Sequence, residues 1–334
     1  MIKEYETEGK KLEYDIVGIG NAIVDVLAMV DDEFLKRERL NKGAMTLIEA
    51  EPAETLYQKL GQCAECSGGS VANSMAGLAS LGAKVAFMGR VHDDQLGHIF
   101  RHDMRSVGVD FDTPSASSGK PTARCLVCVT PDGQRTMNTF IGACAEMEPG
   151  DIDVSRITKS GMVYVEGYLW DPPAAKEAIM TALKAARDSD HKVAFSLSDT
   201  FCVDRHRLEF LDLIRHYVDI IFSNESEALS LAETTDITEA EKLLSSMADI
   251  AVITRSGNPA IIWHAGKRYE VPGEKVLNLV DTTGAGDLFA AGFLYGLTRG
   301  WNIEACAKLG HRCASEIIQQ IGARALKPLK RLVA

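Results

Sequence analysis

The most informative part of this chain is DTTGAGDLFAAGFLYGL, residues 281–297. It follows the strand-like KVLNLV and opens an amphipathic helix, and its glycines allow the backbone to turn tightly into that helix. We expect the free N–H groups of Gly284, Ala285, Gly286 and Asp287 to point at one spot, where the positive end of the helix dipole favours an anion. Asp287 would lie beside that spot, where a carboxylate can take a proton from an attacking hydroxyl. This arrangement is typical of phosphoryl-transfer sites.

Two further segments carry polar residues in apolar surroundings. In CSGGSVANSMAGLASLG, residues 66–82, Gly68 and Gly69 allow a ligand to approach the backbone at the start of a predicted helix. Asn73 and Ser74 lie one turn into that helix and could add hydrogen bonds, and Ser70 is a further candidate for acceptor binding. A capping or exposed role is the alternative for these polar side chains.

In YDIVGIGNAIVDVLAMV, residues 14–30, Asn21 and Asp25 interrupt an apolar run. Residues four apart on one strand share a face, so we expect the pair to hold vicinal hydroxyls of a sugar. Bonds to neighbouring backbone are the alternative.

Apolar strands alternate with helical patterns over most of the chain, which predicts an α/β fold: a doubly wound, mostly parallel sheet with helices on both faces. The predicted strands are Tyr14–Val24, Val85–Arg90, Met162–Glu166, Val193–Leu197, Ile220–Ser223 and Ile250–Thr254. The predicted helices are Val71–Ser80, Gln95–Ser106, Pro173–Asp188, Arg205–Arg215, Glu239–Ala248, Asp287–Arg299 and Ile303–Gln320.

Residues 26–50 and 112–142 break this rhythm with alternating, turn-rich pieces, and Pro131–Gly133 indicates a hairpin turn. We predict that they form a small, discontinuous β-sheet lid. Residues 1–25, 51–111 and 143–334 would then form the α/β body.

Composition excludes several classes of protein. The formal net charge of −11 argues against a nucleic-acid partner. The charged N-terminus lacks the apolar core of a signal peptide, and no apolar stretch approaches the roughly 20 residues that span a bilayer. We therefore expect a cytoplasmic protein without membrane or nucleic-acid partners. The eight cysteines are expected to be reduced, because Cys125 and Cys128 would point to opposite faces of a strand.

Two common nucleotide-binding signatures are absent from the sequence. The Walker A pattern GxxxxGK[ST] does not occur, which excludes a P-loop enzyme. Gly18 and Gly20 follow the first strand as in a dinucleotide-binding fold, but the third glycine of that fingerprint is missing. A Rossmann oxidoreductase is therefore disfavoured.

The segments at 68–100 and 281–297 together resemble the two signatures of the ribokinase-like carbohydrate and nucleoside kinases, the pfkB family, with order and spacing preserved over essentially the whole chain. The resemblance implies a β lid over a small-molecule acceptor and transfer of the ATP γ-phosphoryl group to a hydroxymethyl oxygen. It implies that Asp287 is the catalytic base and that residues 284–287 form the anion hole.

The resemblance also implies nucleotide and metal contacts. NESE resembles the family's NxxE motif, so Asn224 and Glu227 are expected to organise Mg²⁺ through water, although a helix N-cap is the alternative. VITRSGNPA resembles the nucleotide loop, with Thr254, Ser256 and Gly257 at ATP, but Pro259 or Ala260 stands where a second glycine is common. IGARA, residues 321–325, resembles the segment lining the adenine pocket, where many members bind K⁺ near Asp281.

For the acceptor, the spacing of Asn21 and Asp25 and the GGSxxNS pattern resemble adenosine kinases rather than ribokinases. Tyr168 and Trp170 follow a strand end, at the edge of the sheet where ligands bind. The resemblance to adenosine kinases implies that an aromatic residue of this stretch stacks on a purine, and packing in the core is the alternative for both residues. Arg135 is a further candidate for acceptor binding. Glu166 could instead bond the hydroxyls of a free sugar, so a kinase of ribose, fructose or a related sugar is the alternative. A non-catalytic ligand-binding regulator is a remote alternative. The sequence leaves the choice between monomer and homodimer open.

Overall fold

The computed structural model describes residues 12–276 and 278–333. The strands are β1 (Ile16–Ile19), β2 (Ile23–Met29), β3 (Met45–Leu47), β4 (Cys63–Ser67), β5 (Val85–Met88), β6 (Ala123–Val129), β7 (Arg135–Phe140), β8 (Met162–Glu166), β9 (Lys192–Ser196), β10 (Ile220–Asn224), β11 (Ile250–Arg255), β12 (Asn258–His264) and β13 (Lys267–Val271). The helices are α1 (Asp32–Arg37), α2 (Ala50–Lys59), α3 (Ser70–Leu81), α4 (Gln95–Ser106), α5 (Val154–Ile157), α6 (Pro173–Asp188), α7 (Thr200–Tyr217), α8 (Glu225–Ala232), α9 (Ile237–Met247), α10 (Ala285–Thr298) and α11 (Ile303–Ile317).

The larger sheet has eight strands in the order β13-β12-β11-β10-β9-β8-β1-β5. Six neighbouring strands of this sheet run parallel: β11, β10, β9, β8, β1 and β5. The strands β12 and β13 form an antiparallel edge. Successive residues of the parallel strands enter two different hydrophobic clusters: Ile16 faces one cluster and Val17 the other. The sheet is therefore buried on both faces, which explains why these strands are almost continuously apolar.

Helices cover both faces of this sheet. The cluster on one face includes side chains from α3, α4, α10 and α11. The cluster on the other face includes side chains from α5 to α9. The predicted doubly wound α/β architecture is confirmed.

The second sheet has five strands in the order β3-β7-β6-β2-β4. Three of its strands lie wholly within the predicted lid stretches, but β4 lies outside them and β2 begins before residue 26. The first stretch also contains the helix α1, which the sequence analysis did not predict. We refer to these five strands as the lid sheet, and a closing motion of that sheet stays a prediction.

The predicted strand Tyr14–Val24 is wrong, because the chain leaves the larger sheet after Ile19 and enters the lid sheet at Ile23. Gly20 to Ala22 form the link between the two sheets. Hydrophobicity alone could not reveal this break, since the strands on both sides of it are buried and apolar.

No helix within the described part of the chain is both long and apolar enough to cross a membrane.

Candidate active site

Asp287 lies in the first turn of α10, just after a backbone turn at Gly284. Gly284 has a φ of 77°, and a Cβ placed on it would lie 2.7 Å from the Cβ of Ala323, so both conformation and space require glycine. The amides of Gly286 and Asp287 find no hydrogen-bond acceptor among the described residues. The amide of Ala285, in contrast, donates to the Thr282 carbonyl at 3.2 Å, so the anion cradle is smaller than expected.

The Asp287 carboxylate is held by the first turn of α3. Ser70 Oγ donates to one oxygen at 2.7 Å and Asn73 Nδ2 to the other at 2.9 Å, while Ser74 Oγ donates to the Asp287 carbonyl at 2.9 Å. Burial raises the pKa of Asp287 above its usual value, although the two side-chain hydrogen bonds and the charge of Arg324 oppose this shift. These donors favour the ionised form that a base requires.

Asp25 projects from β2 against the glycine turn that begins α3. A Cβ on Gly68 would lie 2.5 Å from Asp25 Oδ2, and one on Gly69, where φ is 91°, would lie 2.2 Å from the Asn21 carbonyl oxygen. Burial raises the pKa of Asp25 to about 6, against the charges of Arg324 and Arg135. No residue in the described ranges donates a hydrogen bond to the Asp25 carboxylate, so its oxygens remain available to a ligand.

Asn21 does not share a strand with Asp25, because it lies in the link between the two sheets. Its backbone N–H and its Nδ2 both donate to Glu166 Oε1, at 2.9 and 2.8 Å. Asn21 and Asp25 therefore both lie at the Gly68–Gly69 turn, but Asn21 reaches it from the link and Asp25 from β2, not from one shared strand as predicted.

Glu166 has no exposed surface, and its two oxygens accept three N–H groups, two from Asn21 and one from Val71. Burial raises the pKa of Glu166 to about 7. The expectation that Glu166 bonds the hydroxyls of a free sugar finds no support in this arrangement.

Arg135 connects the lid sheet to the loop before α10. Its Nη1 donates to Thr283 Oγ1 at 2.9 Å, and its Nη2 forms a short ion pair with Asp281. Asp281 also accepts the amides of Thr283 at 3.0 Å and Gly322 at 2.7 Å. Because a guanidinium and two amides already occupy this carboxylate, it does not fit the role of a K⁺ ligand in this conformation.

Asn224 and Glu227 cap the start of α8 reciprocally. The Glu227 amide donates to Asn224 Oδ1 at 2.9 Å, and the Asn224 amide donates to Glu227 Oε2 at 3.0 Å. Asn224 is therefore the N-cap of α8, as the alternative expected. The same two residues also line a polar cavity of about 100 Å³ that reaches Asp287, Gly286 and Thr254. Burial, with the charges of Asp199 and Asp287, raises the pKa of Glu227 to about 7.

The donor chemistry of this cavity fits Mg²⁺. Among the residues that the structure describes, no three His, Cys, Asp or Glu side chains converge into a metal cage. Mg²⁺ is commonly bound through one or two carboxylates, several waters and substrate phosphates. Two carboxylates that line the same cavity, the buried Glu227 and the half-buried Asp287, match that requirement.

The three residues expected to contact ATP, Thr254, Ser256 and Gly257, do not all lie at the cavity. Thr254 lines the cavity, whereas Ser256 and Gly257 form the two-residue turn between β11 and β12 and do not line it. Ser256 has a φ of 49°, in the left-handed region.

The two aromatic candidates also differ. Trp170 is buried, packs edge-on against Phe210 and donates from Nε1 to Glu209 at 2.8 Å, so its predicted role in stacking is wrong. Tyr168 is half-buried and donates from its hydroxyl to the Ser198 carbonyl at 3.1 Å.

Arg324 is a site residue that the sequence analysis missed. Its Nε donates to the Ser67 carbonyl at 2.9 Å and its Nη1 to the Ala72 carbonyl at 2.7 Å, so it clamps both sides of the Gly68–Gly69 turn. An arginine within the small residues of IGARA was the signal that could have revealed it.

Comparison with known proteins agrees with this geometry. The model of the pfkB family of carbohydrate kinases matches residues 44–330. The chain belongs to the pfkB family. It is therefore a phosphotransferase with an alcohol acceptor, and kinases of this family use ATP, typically with Mg²⁺.

Two solved structures are closely similar to the chain. The crystal structure of adenosine kinase from Sinorhizobium meliloti is 48% identical, covers 96% of this chain and 98% of that chain, and has a TM-score of 0.90. A probable sugar kinase protein from Rhizobium etli CFN 42 is 47% identical with the same coverages and TM-score. Adenosine kinase 2 of Arabidopsis thaliana is 26% identical over 92% of this chain and 94% of its own.

Proposed function

We propose that this pfkB kinase transfers the γ-phosphoryl group of ATP to the 5′-hydroxymethyl of a ribonucleoside, with adenosine as the preferred acceptor. The observation that carries the proposal is the Asp25 carboxylate, which lacks a hydrogen-bond partner among the described residues and lies next to an apolar surface. A hydroxyl-bearing molecule with a flat apolar part satisfies both features.

The lid sheet supplies this surface in three rows across β2, β6 and β7. Residues paired across strands point to the same face. Asp25, Cys125 and Thr139 form one row; Leu27, Val127 and Met137 form the next; Met29, Val129 and Arg135 form the third. The middle row is entirely apolar, and Arg135 in the third row reaches the loop before α10. This face therefore lies over the site.

Different rows would contact different parts of a bound nucleoside. Asp25 would accept hydrogen bonds from the ribose hydroxyls, and the middle row would cover the base. A free sugar has no apolar part to place there, and burial of apolar surface favours binding by roughly 25 cal/mol per Å². The similarity to adenosine kinases points to the same acceptor.

The chemistry then follows from the position of Asp287. The acceptor hydroxyl attacks the γ-phosphorus while the Asp287 carboxylate takes its proton. The amides of Gly286 and Asp287, at the positive end of α10, stabilise the charge on the transferred group. Ser70 and Asn73 keep the carboxylate aimed at the hydroxyl.

Asn224 and Glu227 are the residues that would hold Mg²⁺, through water. When bound, the ion neutralises charge on the phosphates. Glu227 and Asp287 line the same cavity, so an ion held by Glu227 would place positive charge between these carboxylates and the nucleotide.

A sugar kinase is the second candidate, because the chain is 47% identical to the probable sugar kinase protein from Rhizobium etli. An ADP-release assay across adenosine, inosine, guanosine, ribose, fructose and 2-keto-3-deoxygluconate separates the two. We expect the highest kcat/KM with adenosine. A free sugar with a far higher kcat/KM than any nucleoside would make the second candidate correct.

A further inference from the structure

Glu166 is a buried carboxylate at the carboxyl end of β8, in the middle of the larger sheet. Its Oε1 accepts two N–H groups of Asn21, at 2.9 and 2.8 Å, and its Oε2 accepts the Val71 amide at 2.8 Å. No ion pair to Glu166 occurs within the described ranges. Its charge is therefore stabilised by these N–H donors, which is the condition for keeping a buried carboxylate.

One pair of donors belongs to the link between the two sheets. Asn21 lies between β1 of the larger sheet and β2 of the lid sheet. Because the backbone N–H and the side-chain N–H of Asn21 both bind one Glu166 oxygen, the position at which the chain enters the lid sheet is held in place. Asp25, the proposed ligand of the acceptor, follows four residues later on β2.

The third donor belongs to the start of α3. The N-cap of α3 is Gly69, which has no side chain to accept a hydrogen bond. Glu166 supplies that acceptor at Val71, and its negative charge lies at the positive end of the helix dipole. Ser70 and Asn73, the two residues that hold Asp287, flank Val71 in the same turn.

We propose that Glu166 is a positioning residue for phosphoryl transfer: one carboxylate ties the sheet-to-lid link to the helix turn that aims Asp287. The inference rests on the proposed role of Asp287 as base. Glu166 acts through Asn21 and Val71 and does not touch the acceptor. A Cβ on Gly20 would lie 2.6 Å from Glu166 Oε2, which shows how closely the backbone of the link covers it.

The test is Glu166→Gln in the full chain, with whichever acceptor the wild type phosphorylates. Glutamine keeps the shape but offers one acceptor atom and one NH₂ group, so an N–H of Asn21 or Val71 must face another N–H. We expect kcat per folded molecule to fall at least tenfold while the KM values for acceptor and ATP stay within threefold. A loss of stability alone would not produce that split between kcat and KM.

Glu241→Gln is the matched control. Glu241 is also a buried glutamate, on α9, but its partners Trp263 and Arg268 belong to the antiparallel edge of the sheet. Its kcat should equal that of the wild type. Melting curves of all variants give the folded fraction.

If Glu166→Gln folds, the proposal is overturned by a kcat that falls less than tenfold, or by an acceptor KM that rises by a larger factor than kcat falls. The second result would make Glu166 an acceptor ligand.

If Glu166→Gln does not fold, Gly20→Ala replaces it as the test. The added methyl group displaces the Glu166 carboxylate without removing its charge, so Gly20→Ala should show the same fall in kcat. Failure of both to fold, with Glu241→Gln folded, would assign Glu166 to folding alone and also overturn the proposal. A wild type that prefers a sugar changes the proposed acceptor but not this test.

Discussion

Asp287 receives its two side-chain hydrogen bonds from one turn of another helix, so the proposed base is oriented before any substrate arrives. We predict that Asp287→Asn lowers kcat about 10²–10⁴-fold, the usual effect of removing a general base. ATP affinity, measured by calorimetry, should change little because asparagine keeps the shape of the site. Asp212→Asn, on the exposed face of α7, is the control. Turnover above a tenth of the wild type would remove Asp287 from the role of base.

Asp25 illustrates a conflict between stability and function at a single residue. Its half-buried carboxylate has no hydrogen-bond partner in the described ranges, and desolvation raises its pKa to about 6, which disfavours the charged form. We predict that Asp25→Ala raises the melting temperature while acceptor affinity falls about 10- to 100-fold, since a hydrogen bond to a charged group contributes about 1.5–3 kcal/mol. A variant that melts lower and keeps its acceptor affinity would contradict both parts.

Residues that act through local backbone geometry could be found from the sequence, and residues that act across the fold could not. The glycine turn at Gly284 and the nearby Asp287 are adjacent in sequence, so motif and chemistry coincide. Arg324 contacts the Gly68–Gly69 turn from more than two hundred positions away. Glu166 similarly holds Asn21 over 145 positions. No local pattern encodes such contacts.

At the scale of elements, the same limit explains the error at β1 and β2. The sequence predicts the existence of apolar strands well, because burial on both faces requires apolar residues at every position. It does not say to which of two sheets a strand belongs. The short strand β4, with its polar Glu65 and half-buried cysteines, lacks the alternation that would have marked it as part of the lid sheet.

The lid sheet is attached to the body through the link at Gly20–Ala22, through the contacts of Arg135, and through one face that shares a hydrophobic cluster with α3 and α4. We predict that it closes over the acceptor and excludes water, which limits wasteful hydrolysis of ATP. Amide hydrogen exchange in β2, β6 and β7 should slow when acceptor is added, whereas β10 and β11 should be unaffected. Unchanged exchange in the lid sheet with an acceptor that is bound and turned over would contradict closure.

At the scale of the whole molecule, three carboxylates around the candidate site are partly or fully removed from water: Glu166 and Glu227 are buried and Asp25 is half-buried. Burial raises the pKa of Asp25 to about 6 and those of Glu166 and Glu227 to about 7, well above the values of free side chains. Between about pH 5 and pH 7 the folded protein therefore binds more protons than the unfolded chain. Stability is then highest at the acidic end of this window and is lost as pH rises through these pKa values. His311, whose pKa is lowered by burial, acts in the opposite direction, whereas Asp287, whose pKa burial raises, acts in the same direction as the three.

Activity should follow the opposite trend, because the roles that we propose for Asp25, as acceptor ligand, and Glu166, as positioning residue, require ionised carboxylates. We predict that the melting temperature falls from pH 5.5 to pH 8 while kcat/KM rises over the same range, at an ionic strength high enough to screen the surface charges that give the net −11. Asp25→Asn should flatten the dependence of melting temperature on pH, and Mg²⁺ with ATP should flatten it in the wild type by stabilising ionised Glu227. A melting temperature that rises together with activity from pH 5.5 to pH 8 would show that these carboxylates do not cost the fold stability, and the argument from their burial would fail.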